Sequence, residues 1–356
     1  MCDTIPDFSN YTLATFNQTL LSDLTQCTPC ICPIVLDGVI LANTSYFPTL
    51  AGNALFAGIF GTLLIAQIVI GISHRTWKFL IAIVGGLVLE ILGYGARIGM
   101  RFNMFTQTFF IMYLVCLTIG PAFLSAAIYL TFSHLIIIYS ESNARFKPRT
   151  YTYVFISSDV VALLLQAAGG AMASISTPGS SSQHIGINIM VAGVAWQVFS
   201  LAIFALLSFD FFLRVRAAKR SLYAVNHSQT SAYLTLAEPS KKPDVVLFNP
   251  AFAEIRLRPR FRFFIFAIFA ASVFIFVRSV FRCAELSGGF GGPLANEEIT
   301  FMVLEGCMMI LACTLLTVLH PGLVVGGVMW RMASWKSQNP EGGLDLDDYP
   351  GNDFGK

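Results

Sequence analysis

Charge is scarce in this sequence. Of its 356 residues, only 12% are charged and 55% are hydrophobic, and the mean hydropathy is +0.69. A soluble globule of this size needs more polar surface than these residues can supply. The composition therefore excludes an ordinary soluble domain and predicts that lipid covers much of the chain.

Motifs of energy-using and catalytic proteins are also missing. There is no Gly-x-x-x-x-Gly-Lys-Ser/Thr loop for the phosphates of ATP, no His-Glu-x-x-His pair for zinc and no Gly-x-Ser-x-Gly nucleophile. We therefore predict a protein that is not an enzyme and that has no cofactor and no resident metal. Nothing in the sequence indicates a nucleic-acid partner. Any transported substrate must move downhill, with a coupled ion or with the help of another protein.

Seven apolar runs dominate what is present. A helix that rises about 1.5 Å per residue needs about 20 apolar residues to cross the hydrocarbon core. Each run reaches that length, so the sequence predicts an all-α integral membrane protein with seven transmembrane helices. Pro121 predicts a kink in the third of them. The runs are residues 47–72, 79–100, 105–139, 151–175, 185–213, 261–284 and 301–330.

The basic residues are distributed unevenly between the two sets of loops. Lys and Arg remain on the cytosolic side during insertion. Of the 22 Lys and Arg residues, all except Arg97, Arg101, Arg278 and Arg282 lie in or beside the connectors after the first, third and fifth runs, or in the tail. This bias predicts an extracellular amino terminus and a cytosolic carboxy terminus. The predicted regions are an extracellular tail over 1–46, a transmembrane domain over 47–330 with a cytosolic connector over 214–260, and a cytosolic acidic tail over 331–356.

The first 46 residues carry features of an extracellular segment. Asn10, Asn17 and Asn43 each begin an N-glycosylation acceptor motif, and such motifs are used only in the lumen. Asn43 lies closest to the membrane, so Asn10 and Asn17 are the predicted sites. No cleavable signal is evident, and the first run is expected to act as the insertion signal.

The cysteines of this tail would lie in an oxidising compartment. Disulfides are therefore predicted, and their pairing stays open. Zinc is the weaker alternative, because the Cys-x-x-Cys-x-Cys cluster has no companion ligands nearby. The four residues are Cys2, Cys27, Cys30 and Cys32.

The connector after the fifth run has two kinds of sequence. Its middle is polar and proline-containing around residues 226–231 and beyond, which predicts flexibility. Its two ends are basic beside aromatic or apolar residues, which indicates contact with anionic lipid headgroups.

Ionisable and polar residues recur at helical spacing inside the apolar runs. A charge in hydrocarbon costs on the order of 2.5 to 3.5 kcal/mol on insertion scales, so these side chains are expected to face inward and to pair. Two compatible interpretations stay open: an ion-pair network that locks helices together, and a polar cavity in the outer half of the membrane that takes a headgroup. Glycine pairs at 85–86 and 169–170 would let helices approach. The stripes are Glu90, Tyr94, Arg97 and Arg101, then Asp159 and Gln166, then Arg278, Arg282 and Glu285, and finally Glu298 and Glu305.

Isolated histidines and cysteines inside the runs are interpreted as structural. His134 and His320 are single imidazoles that we expect to be packed or hydrogen-bonded. The cysteines in apolar surroundings are expected to be small core residues. They are Cys116, Cys283, Cys307 and Cys313.

Short segments stand in a characteristic order along the runs. They are Glu90-Ile-Leu-Gly-Tyr-Gly-Ala-Arg97, Pro121-Ala122, Ala127-Ile-Tyr129, Asp159 with Gln166 and Gly169-Gly170, Arg278-Ser-Val-Phe-Arg-Cys-Ala-Glu285, Gly288, Asn296-Glu297, Glu305 and His320-Pro-Gly322. In this order and spacing they resemble the fungal lipid-translocating exporter family, also called the RTA-like family after resistance to aminocholesterol. The resemblance covers residues 47–322. Two positions depart from the family pattern, since His134 stands where Arg is common and Glu305 where Asp is usual.

The resemblance implies a plasma-membrane protein that moves lipid-like molecules outward, such as sphingoid long-chain bases, or that gives resistance to toxic sterol analogues. A sphingoid base carries an ammonium group and a long tail, so Glu90, Glu285 and Glu305 would receive the head while the tail stays in lipid. Membrane lipids and an amphiphilic substrate are the implied partners, and a homo-oligomer is left open. The residues predicted to bind substrate are Glu90, Tyr94, Arg97, Asp159, Gln166, Arg278, Arg282, Glu285 and Glu305.

A seven-helix receptor or sensor that regulates lipid asymmetry is the main alternative. The third run ends in Tyr139-Ser-Glu-Ser, where the commonest receptor family has an acid-Arg-Tyr triplet, and the seventh holds His320-Pro-Gly in place of Asn-Pro-x-x-Tyr. An intramembrane hydrolase of lipid amides is a third alternative, but it needs a metal-binding set of histidines that five scattered residues do not supply.

Overall fold

The computed structural model describes most of the chain. The described residues are 15–17, 20, 27–28, 30–36, 39–42, 44, 46–176, 180–232, 248–249, 252–288, 292, 294 and 297–333, with residues 39–40, 142, 174 and 221–232 described in the backbone alone. Several residues named above lie outside this set, namely Asn10, Asn43, Asn296, Cys2 and the tail after Ala333.

Seven helices in the described part of the chain are long and apolar enough to cross a membrane, which confirms the predicted number. We call them the first to seventh spans. Pro148 and Pro259 open the fourth and sixth, where a missing N–H is tolerated. The first six are Leu50–Ser73, Trp77–Phe102, Gln107–Tyr139, Pro148–Ile175, Ser181–Ala232 and Pro259–Ser287.

The seventh span is segmented. An α-helical turn, Glu298–Phe301, leads into a π-helix, Met302–Cys307, and then into the α-helix Met308–Val318. Two short helices follow, Pro321–Val324 and Gly327–Met332. The π-helix adds a residue to its turn and so changes the direction in which its side chains point relative to a regular α-helix.

Short elements also lie outside the spans in the described part of the chain. Strands β1, Val35–Leu36, and β2, Val39–Ile40, form an antiparallel hairpin, which adds a minor strand component to the predicted all-α fold. A single 3₁₀ turn, Glu141–Asn143, follows the third span, and the helix Ala253–Leu257 precedes the sixth.

The spans form a closed bundle. Each span packs on the next in sequence, the seventh returns to contact the first, and the third contacts the sixth across the centre. We call the end of the bundle at which the first span begins the N-terminal side, and the opposite end the C-terminal side. Because successive spans are antiparallel, the connections after the second, fourth and sixth spans lie on the N-terminal side.

Glycines permit the closest helix crossings. A Cβ added at Gly86 would lie 2.8 Å from Leu124 Cγ and 3.1 Å from the Gly120 carbonyl oxygen, which fixes the contact between the second and third spans. A Cβ at Gly169 would lie 2.6 Å from the Gly186 carbonyl oxygen, where the fourth and fifth spans cross. Small residues allow such backbone contact in membranes. Gly170, the second member of its pair, has more room.

The segment before the sixth span caps the third span, which corrects part of the interpretation of the connector. The last carbonyl groups of a helix lack intrahelical donors. Arg256 Nη1 donates to the Ile138 carbonyl at 2.8 Å, and the Asn249 backbone N–H donates to the Tyr139 carbonyl at 3.3 Å. Partial burial lowers the pKa of Arg256 from its usual value, yet an Arg at this site stays charged. This cation therefore caps a helix rather than facing a lipid headgroup.

The fifth span also continues further than predicted. It is helical to Ala232, so the polar residues around Asn226 belong to a helix and not to a flexible segment. Near the membrane boundary Asp210 binds Arg145 at 2.8 Å and Arg214 at 2.9 Å. These surface pairs hold the fifth span to the turn after the third, although exposed pairs of this kind contribute at most about 1 kcal/mol.

The tail before the first span packs on the N-terminal side. Cys27 and Cys32 form a disulfide, and both are buried with Phe16 and Leu36 against Met104 and Phe105 of the connection between the second and third spans. Cys30 is disulfide-bonded as well. The cysteines therefore serve as cross-links, which overturns the zinc alternative. Asn17 is exposed.

Candidate functional site

Two ion pairs lie inside the bundle, and both use residues predicted from the sequence. Arg278 of the sixth span pairs with Glu305 of the seventh, and Arg282 Nη1 lies 2.6 Å from Glu285 Oε2 within the sixth. All four side chains are at most 4% exposed. Buried pairs are stable only when hydrogen bonds satisfy the remaining charge, so their further partners matter.

Pro121 supplies one of those partners. In a regular helix the N–H of residue 121 would donate to the carbonyl of Leu117, but proline has no N–H. The third span continues through Pro121 as a helix, and the freed Leu117 carbonyl accepts a hydrogen bond from Arg278 Nη2. Proline in the third span thus creates an acceptor that ties the third span to the sixth.

The π-helix positions Glu305. Glu305 and Gly306 both lie in this six-residue segment and are buried. A Cβ added at Gly306 would overlap the Phe56 ring and lie 2.7 Å from the Tyr94 hydroxyl. Glycine therefore lets the seventh span approach the first and second closely at the turn that carries Glu305. π-bulges are frequent at functional sites.

Glu90 is an acidic residue of the second span that lies close to these ion pairs but lacks hydrogen bonds of its own among the described residues. Its side chain is 1% exposed, and neither carboxylate oxygen has a hydrogen-bond partner among the described residues. Arg278 and Glu305 are its main electrostatic neighbours. A Cβ at Gly120 would lie 2.9 Å from Glu90 Oε1, so the third span passes directly beside this carboxylate.

Further buried polar atoms near Glu90 lack hydrogen-bond partners within the described part of the chain. They include donors as well as acceptors, so the cluster can bind a group that has both. The atoms are the Tyr94 hydroxyl, Glu305 Oε2, Arg278 Nε, and Arg282 Nε and Nη2. We call Glu90, Tyr94, Arg278, Arg282, Glu285 and Glu305 the polar cluster.

Arg97 serves a different purpose from the other buried arginines. Its Nε donates to Asn53 Oδ1 at 3.0 Å, and its Nη2 donates to the Tyr46 hydroxyl at 2.9 Å. The guanidinium also lies 4.0 Å from the centre of the Phe301 ring, a cation–π contact. Arg97 is thus held by neutral and aromatic groups of the first and seventh spans and of the tail.

Further polar contacts join the first span to its neighbours at the N-terminal side of the bundle. The Thr49 backbone N–H and hydroxyl donate to the two carboxylate oxygens of Glu298 at 2.6 and 2.8 Å, and Arg101 Nη1 donates to the Pro48 carbonyl at 2.9 Å. We call Tyr46, Pro48, Thr49, Asn53, Arg97, Arg101 and Glu298 the N-terminal clamp. It fastens the start of the first span over the second and seventh, next to the polar cluster.

Asp159 and Gln166 lie at other positions than the polar cluster. Asp159 stands beside the Tyr129 hydroxyl, although neither group completes a hydrogen bond of standard geometry within the described residues. Gln166 Nε2 donates to Gln197 Oε1 at 3.2 Å, between the fourth and fifth spans. The fourth span therefore carries two separate polar positions.

The other singled-out residues have structural environments. His134 stacks on Trp330 with ring centres 4.0 Å apart, and His320 Nδ1 accepts the Gly322 N–H at 2.9 Å, as the packed interpretation predicted. Cys116 and Cys313 are buried, and Cys283 and Cys307 are half-buried.

Sequence reasoning missed three parts of the site. The Leu117 carbonyl could have been found from Pro121, because the position four residues before a proline always loses its helical donor. Tyr46 and Asn53 carried no comparable signal, since neutral polar residues near a span end have many uses. The only signal at Gly306 was its position directly after Glu305, and a glycine beside an acidic residue does not by itself indicate a close helix contact.

The comparisons with known proteins agree with the resemblance. The family model described as RTA1 like protein matches residues 83–327. The sphingoid long-chain base transporter RSB1 of Saccharomyces cerevisiae is 34% identical over 284 residues, which cover 79% of this chain and 73% of that protein. Protein RTM1 of the same species is 26% identical over 269 residues, 75% of this chain and 74% of RTM1. Protein RTA1 is 26% identical over 237 residues, 66% of this chain and 63% of RTA1. No solved structure matches.

Proposed function

This chain belongs to the RTA1-like family of membrane proteins, and on that premise we propose that it moves single-chain amphiphiles across a membrane, with sphingoid long-chain bases as the leading class. Toxic sterol analogues are a related class that the same site would take. A relative named as a sphingoid long-chain base transporter aligns over most of the chain. RSB1 is named as a transporter and not as an enzyme, which supports a function without catalysis.

The observation that carries the proposal is the state of Glu90. It is a fully buried carboxylate with no hydrogen-bond partner among the described residues. An ionisable side chain without a hydrogen-bond partner is expensive in a membrane interior, and residues of this kind mark binding sites and pathways by default. A cationic headgroup would supply the missing partner.

An ammonium head fits the acceptors of the polar cluster. It has three N–H donors and no acceptor, like the Lys side chain. Glu90 offers two free oxygens, and Glu305 Oε2 and the Tyr94 hydroxyl offer two more. We assign Glu90, Tyr94 and Glu305 to the ammonium group.

The arginines would serve the hydroxyl groups of the head. Arg278 and Arg282 are each engaged on one side, by Glu305 and Glu285. Arg278 Nε and the Nε and Nη2 atoms of Arg282 lack partners within the described chain, and a hydroxyl oxygen accepts from such donors. In this proposal Glu285 holds Arg282 in place, and Arg97 keeps the N-terminal clamp closed over the head.

Asp159 and Gln166 would contribute at other points of the path. Asp159 lies further toward the C-terminal side, beside Tyr129, and would attract the ammonium group on its way to the polar cluster. Gln166 lies at a second outlying position, between the fourth and fifth spans. The residues predicted from the sequence to bind substrate thus divide into the polar cluster, Arg97 in the N-terminal clamp and two outlying positions.

We further propose the orientation and location. The bias of basic residues toward the C-terminal side supports a cytosolic carboxy terminus, and the disulfide-bonded tail supports an extracellular amino terminus with glycans at Asn10 and Asn17. The plasma membrane satisfies both. In this orientation the polar cluster lies in the outer half of the membrane, with tail 1–46 outside and connector 214–260 and tail 331–356 inside.

The direct test is movement of a fluorescent sphingoid base between leaflets of phosphatidylcholine liposomes that contain only the purified protein. We expect wild-type protein to accelerate this movement over empty liposomes. Glu90→Gln keeps the side-chain shape but removes the charge, so we expect movement to fall at least about tenfold, by analogy with the loss of a charged hydrogen bond. Thermal stability should not fall, because Gln has nearly the same shape and the substitution removes no hydrogen bond among the described residues.

Glu254→Gln is the matched control. Glu254 is exposed and pairs only with nearby Arg258 among the described residues, so movement should stay at the wild-type rate. If Glu90→Gln transports as well as wild type, the head site is wrong. If the wild type moves no sphingoid base, the transporter proposal fails and the receptor or sensor of lipid asymmetry becomes the function to pursue.

A further inference from the structure

A groove of about 340 Å³ is lined by the third, fourth, fifth and sixth spans. This volume falls in the range of about 300–1,000 Å³ that small-molecule sites occupy. Its floor includes Leu114, Leu286 and Met190, which pack together in one cluster. Ile111 and Ile175, near the span ends on the N-terminal side, line it and are 39% and 85% exposed. The groove therefore faces the hydrocarbon of the leaflet on that side.

A buried polar atom lies in this apolar lining. Gln166 is 5% exposed, and its Oε1 has no hydrogen-bond partner in the described part of the chain. The other polar residue of the lining, Thr118, already donates its hydroxyl to the Leu114 carbonyl at 2.6 Å. An unsatisfied carbonyl in hydrocarbon costs free energy. A ligand with an N–H or O–H donor would satisfy it.

The groove adjoins the polar cluster. Leu286 in its floor directly follows Glu285, and Thr118 in its wall directly follows Leu117, whose carbonyl binds Arg278. Consecutive residues of a helix point to different faces. The third and sixth spans are thus the wall that separates the groove from the polar cluster.

From this arrangement, and resting on the function proposed above, we infer that the groove is a lateral binding site for a single-chain amphiphile with a hydrogen-bond donor in its head. The hydrocarbon chain lies in the groove, and the head donates to Gln166 Oε1. The chemistry favours this occupant over a phosphatidylcholine, which has no N–H or O–H to donate and has two chains for a groove of this size. The site would hold the amphiphile in the leaflet beside the polar cluster before or after its head crosses.

Gly170 allows the groove to be filled without disturbing the fold. It lines the groove, and a Cβ added there would meet only Met190 Sδ, at 3.8 Å. Gly170→Leu would therefore place its side chain in the groove. Gly58→Leu is the matched control, because Gly58 is exposed in the first span and a Cβ there would meet nothing within 4 Å.

The test uses a sphingoid base with a photoactivatable diazirine in its chain, bound to purified full-length protein in phosphatidylcholine liposomes. We expect crosslinks to groove residues of the third and fourth spans, displaced by unlabelled sphingosine. Each methylene kept out of the groove weakens binding about fourfold, so Gly170→Leu should reduce labelling at least about tenfold. Gly58→Leu should label like wild type. Unchanged labelling of Gly170→Leu, or equal displacement by added phosphatidylcholine, would show ordinary boundary lipid and overturn the inference.

A second variant tests the role of Gln166. Gln166→Leu removes the acceptor, so the protein should lose its preference for sphingosine over a trimethylammonium amphiphile of equal chain length, which has no N–H on its nitrogen. A hydrogen bond from an ammonium N–H is charge-assisted and contributes about 1.5–3 kcal/mol, which sets that preference at about tenfold or more. An unchanged preference would remove Gln166 from the site.

The outcome also separates this site from the proposed function. Groove labelling without transport by the wild type would leave the lateral site intact and reject the transporter. Transport without groove labelling would support the transporter and reject the lateral site.

Discussion

The two sides of the bundle differ in how much charge they bury: the ion pairs of the polar cluster lie on the N-terminal side, whereas Asp159, also without a hydrogen-bond partner among the described residues, lies toward the C-terminal side. On the C-terminal side, Phe132 stacks edge-to-face with Tyr151, Phe204 and Phe211, and Arg256 caps the third span. On the N-terminal side, charged groups are buried with free hydrogen-bonding capacity, above all at Glu90. Apolar packing and caps give one stable arrangement, whereas a buried polar network with unsatisfied groups has a free-energy cost that a bound partner would lower. We therefore predict that substitutions in the polar cluster change transport and that substitutions at the C-terminal cap change stability alone.

The largest expected effect comes from breaking the central ion pair. Arg278→Ala leaves both Glu305 and the Leu117 carbonyl without their buried donor. Removing one partner of a buried pair costs about 3–5 kcal/mol, so the free energy of unfolding in detergent should drop by that amount. Transport should be lost.

A double variant separates folding from function in this experiment. Arg278→Met with Glu305→Met removes both charges and should regain most of the stability, as apolar replacements of buried pairs often do, while transport stays absent. Arg145→Ala is the control, because its pair with Asp210 is exposed and should contribute at most about 1 kcal/mol. A stable and active Arg278→Ala would contradict the proposed polar cluster.

A smaller effect, confined to stability, is expected on the C-terminal side. Arg256→Ala removes charged hydrogen bonds to the Ile138 and Asn249 carbonyls. Such bonds contribute about 1.5–3 kcal/mol, so the melting temperature should fall. The transport rate per folded molecule should stay at the wild-type value, and Arg258→Ala, which changes an exposed residue, should alter neither property. A loss of transport in folded Arg256→Ala would break the comparison between the two sides.

The smallest change in stability is expected at Pro121. Pro121→Ala supplies an N–H that can donate to the Leu117 carbonyl and so competes with Arg278. Stability should change by about 1 kcal/mol at most, because one helical hydrogen bond is gained while a charged one is weakened. Transport should nevertheless slow, since Arg278 would then be positioned by its ion pair with Glu305 without the hydrogen bond to the Leu117 carbonyl. Pro148→Ala, at the first turn of the fourth span, is the matched proline control; equal transport in both variants would argue against a role for the freed carbonyl.

Much of the helical framework could be predicted because its causes are local. The length and apolarity of each run set the number of spans, and the spacing of Glu90, Tyr94 and Arg97 puts them on one helix face. The errors arose where distant contacts decide. The polar residues around Asn226 read as flexible, yet they continue the fifth span. Arg256 read as a lipid-facing cation, yet it caps a helix more than a hundred residues away in sequence.

By itself, the sequence determined that the protein is a seven-span membrane protein of this family and that ionisable residues would face inward. Only the tertiary structure decided their partners. It pairs Arg278 with Glu305 and the carbonyl freed by Pro121, holds Arg97 with Tyr46 and Asn53, and leaves Glu90 without a hydrogen-bond partner among the described residues. The physical reason is that spacing along one helix determines which residues share a face, whereas contact between helices depends on the depth and rotation of each span. Close packing at Gly120 and Gly306 and the π-helix of the seventh span set that depth and rotation.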